Sequence, residues 1–161
     1  MPQYRPCLCG FYGDATRECR CTPAMIQRYL GKISGPPLDR IDIHVEVPAV
    51  PYQGLRGSPA LKSSAEIRVR AERVRARQQA RGGCCNSHMP ARSIRKQCTL
   101  DEAGERTLEM AVRRLGLSAR AHDRILKVAR TVADLGESEV VSAKHIAEAV
   151  QYRSLDRNYW N

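Results

Sequence analysis

The chain has 161 residues, with 27 Lys and Arg against 17 Asp and Glu, and its net charge of +10 favours polyanionic partners. Aromatic residues make up 5% of it, with one Phe and one Trp, which is too few for the stacked platforms that grip single-stranded nucleic acid. No apolar run approaches the roughly 18 residues that a bilayer span needs, and Met1-Pro-Gln-Tyr-Arg-Pro lacks the apolar core of a secretory signal. A cytoplasmic setting is therefore expected, without a membrane partner, where thiols stay reduced and the seven cysteines need a reason other than disulfides.

Residues 1 to 23 are rich in Cys, Gly and Arg and read as a knuckle or loop with no core of its own. A short helix follows, with Thr22 as N-cap, Pro23 at its first position and Met25, Tyr29 and Leu30 on one face, until Gly35-Pro-Pro breaks the pattern. Ile41-Asp-Ile-His-Val-Glu-Val47 alternates strictly and predicts a half-buried strand ended by Pro48 and Pro51. A Gly/Pro/Ser linker covers 54 to 62, and a helix capped by Ser64 runs over 63 to 81 with Ile67, Ala71, Val74 and Gln78 as a thin stripe. Residues 82 to 95 interrupt the helical pattern.

From about residue 96 three amphipathic helices are expected. Their inward faces are Leu108, Ala111, Val112 and Leu115, then Ile125, Val128, Ala129, Val132 and Ala133, then Ile146, Ala147 and Val150. Ser118 and Ser142 cap the second and third, and Gly116 and Gly136 stand at helix ends. The result is a bundle of about 60 residues, near the lower limit for independent folding. A knuckle without a core and a strand without sheet partners together suggest part of a longer protein.

Three constellations carry chemistry. Cys7, Cys9, Cys19 and Cys21 offer four thiolates, enough for tetrahedral zinc, against the alternative of reduced, unliganded thiols. Cys84, Cys85 and His88 read as a variable loop, and Cys98 stands without a ligand set. Arg68, Arg70, Arg73, Arg75, Arg77 and Arg81 on one helix, offset only by Glu66 and Glu72, suit phosphate contacts or form a solvated face, the commoner fate of such runs. No Ser-His-Asp, Cys-His or paired-carboxylate arrangement stands out, and no Gly-Lys-Ser or Gly-Lys-Thr phosphate loop occurs within these residues.

A run of blocks appears in a fixed order. It begins with Cys7-Leu-Cys-Gly-Phe-Tyr-Gly-Asp14, Arg17-Glu-Cys-Arg-Cys-Thr-Pro23, Leu38-Asp-Arg-Ile-Asp-Ile-His-Val-Glu-Val-Pro48 and Ser63-Ser-Ala-Glu-Ile-Arg68. It continues with Gly116-Leu-Ser-Ala-Arg-Ala-His-Asp-Arg-Ile-Leu126 and Ile146-Ala-Glu-Ala-Val-Gln-Tyr-Arg-Ser-Leu-Asp-Arg157. The order and spacing resemble the C-terminal half of the magnesium-chelatase-like AAA+ ATPases of the ComM/YifB branch. The resemblance implies a mainly α chain in which residues 1–53 are the end of an α/β AAA+ core with a Cys-rich knuckle. Residues 54–95 become a linker and basic helix, and 96–157 a helical lid.

It further implies a ring-forming ATPase, a hexamer of identical subunits using ATP and magnesium, whose ComM members are DNA helicases driving branch migration during natural transformation. Arg40 then corresponds to the arginine finger, against an ion pair with Asp39 or Asp42, and Arg120 to sensor 2, with Arg124 second. Arg5 stands where the family carries its sensor 1 Asn. Two other readings remain open: a non-enzymatic helical module binding nucleic acid or a partner protein, and a motor component of a metal chelatase.

Overall fold

The computed structural model describes residues 7–14, 17–32, 40–45, 47 and 62–153. Arg5, the turn at Gly35, most of the 54–62 linker and the end of the closing motif at 154–157 lie outside the described residues. What is described is mainly helical: α1 (Pro23–Leu30), α2 (Ser64–Gly82), a 3-10 turn (Asn86–His88), α3 (Ala91–Gln97), α4 (Glu102–Leu115), α5 (Ala119–Leu135) and α6 (Ala143–Gln151).

Side-chain caps start every helix but α3, which follows Pro90 without one. Thr22 caps α1 through its hydroxyl and the Met25 amide, with Pro23 in the first turn. At α2 the cap is Ser63, one residue before the expected Ser64. A reciprocal box forms there, in which Ser63 Oγ accepts the Glu66 amide at 3.2 Å and the Glu66 carboxylate accepts the Ser63 amide at 2.7 Å. Asp101 caps α4 and Ser118 caps α5. At α6 the Ser142 amide donates to His145 Nδ1 at 3.0 Å, so an imidazole takes the place usually held by Glu or Gln. Gly116 ends α4 in the left-handed region at φ 59°, as its composition demands. After α5, Gly136 stays at φ −90° and Glu137 takes the left-handed conformation instead.

The core sits between α4, α5 and α6. Leu108, Ile125, Leu126, Ala129, Ala133, Val141, Ile146 and Ala149 fill it, joined by Met89, Ile94 and Cys98 from before α4. The interruption at 82–95 is therefore half structured: it holds a helix and supplies core side chains. Leu100 and Val141 form a parallel bridge that ties the chain ahead of α4 to the chain ahead of α6. Gly104 lies under that bridge; a Cβ there would stand 2.9 Å from Asp101 Oδ1 and 3.1 Å from the Val141 carbonyl, so only glycine fits without a shift.

Three expectations need correction. Residues 41–45 and 47 form no strand, and Ile43, Val45 and Val47 are 49%, 65% and 82% exposed, because no neighbouring strand is present among the described residues to cover that apolar face. In α2 only Val74 and Gln78 are buried, whereas Ile67 and Ala71 face solvent. In α6 Ala149, not Ala147, turns inward beside Ile146.

A polar cluster also lies inside the bundle. Asp134, 1% exposed, accepts both guanidinium nitrogens of Arg81 at 2.6 and 2.8 Å, Arg130 Nε at 3.2 Å and Asn86 Nδ2 at 2.9 Å. Arg130, equally buried, donates onward to the carbonyls of Ser138 and Glu139. Burial opposes the charge on Asp134, but Arg81, Asn86 and Arg130 hold its carboxyl below the usual carboxylate range.

Candidate functional site

Four sulfurs gather at the start of the described chain. Cys7, Cys9, Cys19 and Cys21 place their Sγ atoms within 4.8 Å of one another. The Cys7–Cys9, Cys7–Cys19 and Cys9–Cys19 separations are 3.3, 3.7 and 3.6 Å, and all four thiols are free. Two turns deliver them. Gly10 at φ 83° and Gly13 at φ 81° fold the chain back after Cys9, and the Asp14 carboxylate accepts the Arg17 amide at 3.2 Å. The Arg17 guanidinium lies 5.1 Å over the Phe11 ring, holding the two limbs of the loop together.

Crowding splits the thiols. The Phe11 amide, then Cys9's hydrogen bond with Cys7, draws the Cys9 thiol down to about 6. Cys19 moves the other way: the Cys21 amide lowers it, but burial and the hydrogen bonds with Cys9 and Cys7 outweigh that and push it up to about 12. The thiols thus split in opposite directions, as expected when groups that can carry like charges share one small site.

The second feature joins residues far apart in sequence. Ser118 Oγ accepts the Ala121 amide at 3.2 Å, starting α5, and Arg120 stands exposed in its first turn. Arg124, one turn on, donates to Asp42 at 2.7 Å. The His44 amide donates to the Tyr152 carbonyl at 2.8 Å, and Arg153 Nη1 reaches the Ile41 carbonyl at 3.4 Å. Residues 41–44 are thus fastened to the start of α5 and the end of α6, which leaves Arg40 exposed at the edge of that attachment. Among the described contacts Asp42 pairs with Arg124 and not with Arg40.

The basic run on α2 divides in two. Arg73 pairs with Glu137 at 2.5 Å, Arg77 donates to the Glu137 carbonyl at 3.3 Å, and Arg81 enters the buried cluster. Arg68, Arg70 and Arg75 are exposed. Cys98 is buried, and burial first of all pushes its thiol up to about 11, as suits an inert core thiol. Sequence reasoning missed Arg130, Asp134 and Asn86; the available signal was an Arg and an Asp four apart within the apolar face of α5.

Comparison with known proteins places this assembly. The family described as magnesium chelatase, subunit ChlI C-terminal, matches residues 61–153, and that described as magnesium chelatase, subunit ChlI, matches residues 2–55. The chain belongs to the magnesium-chelatase-like family of ComM and YifB. Competence protein ComM of Haemophilus influenzae is 40% identical over 139 residues, which cover 86% of this chain and 27% of that protein. YifB of Escherichia coli is 41% identical over 140 residues, covering 86% and 28%. Rv2897c of Mycobacterium tuberculosis is 30% identical over 152 residues, covering 92% and 30%. The chain thus spans between a quarter and a third of the length of these relatives. Its bundle is the family's C-terminal helical unit, and no helix among the described residues is long and apolar enough to cross a membrane.

Proposed function

We propose that this chain is the nucleotide-responsive back end of a ring-forming AAA+ motor that remodels DNA, with Arg40 and Arg120 as its two phosphate-reading arginines. The observation that carries this reading is the attachment of residues 41–44 to α5 and α6, which holds an exposed Arg40 on the same unit as an exposed Arg120. Arg40 suits a finger because a guanidinium is always charged and meets two phosphate oxygens at once, neutralising charge that develops in phosphoryl transfer on the neighbouring subunit. Arg120 suits a sensor because it sits in the first turn of a helix, where the backbone amides also favour an anion. Arg124 serves differently in this reading: its bond to Asp42 positions the Arg40 segment. ATP and magnesium would be held by parts of the motor outside these residues, and the DNA role is what the resemblance to the ComM/YifB branch implies.

The test uses the full-length protein. Arg40→Ala leaves nucleotide binding near its original strength and lowers hydrolysis by about a thousandfold or more, the usual scale for a finger. Arg120→Ala weakens nucleotide binding or lid closure within its own subunit. Undiminished turnover in Arg40→Ala would remove the finger assignment. The 161-residue chain by itself is expected not to turn over ATP.

A second reading rests on Arg68, Arg70 and Arg75, exposed on one helix. It makes α2 a nucleic-acid contact whose affinity falls with salt, each lost phosphate contact reducing the slope by about one.

A further inference from the structure

We propose that Cys7, Cys9, Cys19 and Cys21 form a closed four-thiolate zinc site that serves as the organising centre of residues 7–32. The proposal does not depend on the motor reading above.

Geometry is the first support. A Zn–S bond of about 2.3 Å gives a tetrahedron with edges of roughly 3.8 Å, and three of the sulfur separations are 3.3, 3.7 and 3.6 Å. A disulfide would need about 2.05 Å, and Cys7 stands near both Cys9 and Cys19, so neither pairing explains the group. Four sulfurs mutually within 4.8 Å is the arrangement a single ion requires.

The surroundings of the sulfurs give the second support. Backbone amides point at every one of them: Gly10 and Tyr12 at Cys7, Phe11 and Arg20 at Cys9, Cys21 at Cys19, and Cys9 at Cys21. Four thiolates around Zn²⁺ carry a net charge of −2, and N–H donors aimed at sulfur are the outer shell that stabilises such a charge. Neutral thiols in a solvated loop need no such set.

Third, among the described residues the segment has no apolar core to hold its shape, only turns, a cap and the Arg17–Phe11 contact. α1 buries none of its residues, while Cys7 itself is fully buried. A residue with no apolar core around it, packed against three other sulfurs, is what a metal-centred fold produces. Four protein ligands leave no open position, so the ion is structural and supplies no water for chemistry. Any thiol still protonated releases its proton when the ion binds. Cys84, Cys85 and Cys98 lie outside the set.

The full chain, purified under reductant without chelator, should carry about one zinc by elemental analysis, as one tetrahedral four-thiolate site requires. Cys19→Ser should lose that zinc while Cys84→Ser keeps it. Cobalt(II) in place of zinc should give the visible and near-ultraviolet absorption of a tetrahedral thiolate site in the parent and Cys84→Ser, and not in Cys19→Ser. Helical circular dichroism of the bundle serves as the folding control throughout, since no core side chain of the bundle comes from residues 7–32. With that helicity intact, a metal-free parent that also gives no thiolate–cobalt spectrum would overturn the proposal. Iron in place of zinc, or equal zinc loss in Cys84→Ser, would overturn it as well.

Discussion

Between Met89 and Ala149 the chain is held by apolar side chains withdrawn from water, whereas α1 at the other end buries no residue at all. The two regions answer the same entropic demand by different means. The bundle spreads its stabilisation over many contacts, and residues 7–32 concentrate theirs in four sulfurs and a few turns. Damage to the first should therefore be graded with burial, and damage to the second all or nothing.

The largest effect expected is on the boundary of the bundle. A piece covering residues 62–153 retains Met89, Ile94, Cys98 and the partners of Asp134, and should melt cooperatively. A piece starting at residue 96 lacks Met89 and Ile94 and leaves Asp134 and Arg130 without Arg81 and Asn86. It should lose the cooperative transition by circular dichroism. Equal melting of the two pieces would show that apolar burial among α4, α5 and α6 suffices.

Next comes the buried cluster. Asp134→Ala leaves the buried Arg130 guanidinium without its carboxylate and beside the partly exposed Arg81, at a cost of about 3 kcal/mol, readable from urea denaturation of the 161-residue chain. The side chains of Asp134 and Arg130 are 0% and 1% exposed, so solvent screens this pair little. A loss below about 1 kcal/mol, the range of exposed pairs, would mean that the cluster is far wetter than its geometry.

A matched pair of truncations then compares the two regions directly. Ile146→Ala, at a side chain 0% exposed, should cost about 3 kcal/mol through lost transfer and cavity. Met25→Ala on α1, at 43% exposure, should stay within about 0.5 kcal/mol. If Met25→Ala matched Ile146→Ala, α1 would have an apolar partner beyond the described residues.

How much of this was legible in the sequence follows the same division. The helices of the bundle were readable because burial writes a 3.6-residue period, which placed Leu108, Ile125, Ala129 and Ile146 correctly. The same rule failed over 41–45 and 47, where a period of two is present but no sheet partner is found among the described residues, leaving Val45 and Val47 exposed. It failed again at Arg130 and Asp134, since periodicity counts apolar residues and is blind to a charge buried with its partner. The cysteine pairs were readable as ligands, but their convergence depends on turns at Gly10 and Gly13 that spacing does not encode. Arg40 and Arg120 became candidates only through resemblance. Spacing gave no hint that Asp42 would choose Arg124, 82 residues away.

The smallest effect expected is a dependence on pH confined to the bundle. His145 is 4% exposed and accepts the Ser142 amide on Nδ1, so its capping role needs the neutral ring. Burial first, then Lys144 and Arg130, lowers its pKa below the ordinary 6.5, with Glu148 and Asp101 pulling weakly the other way. The unfolded chain therefore takes up the proton before the folded one, and stability rises with pH across the interval between the two pKa values. The contribution is complete above about pH 6.5 and is lost as pH falls through the lower, folded value. Asp134 adds to the loss only further down, below its ordinary value of 3.8, because its folded carboxyl is also held low. Denaturation midpoints of the 62–153 piece between pH 7 and 5 should fall for the parent sequence and stay nearly level for His145→Gln, whose amide oxygen can accept the same amide without titrating. A parallel decline in both proteins would move the titrating group away from this cap.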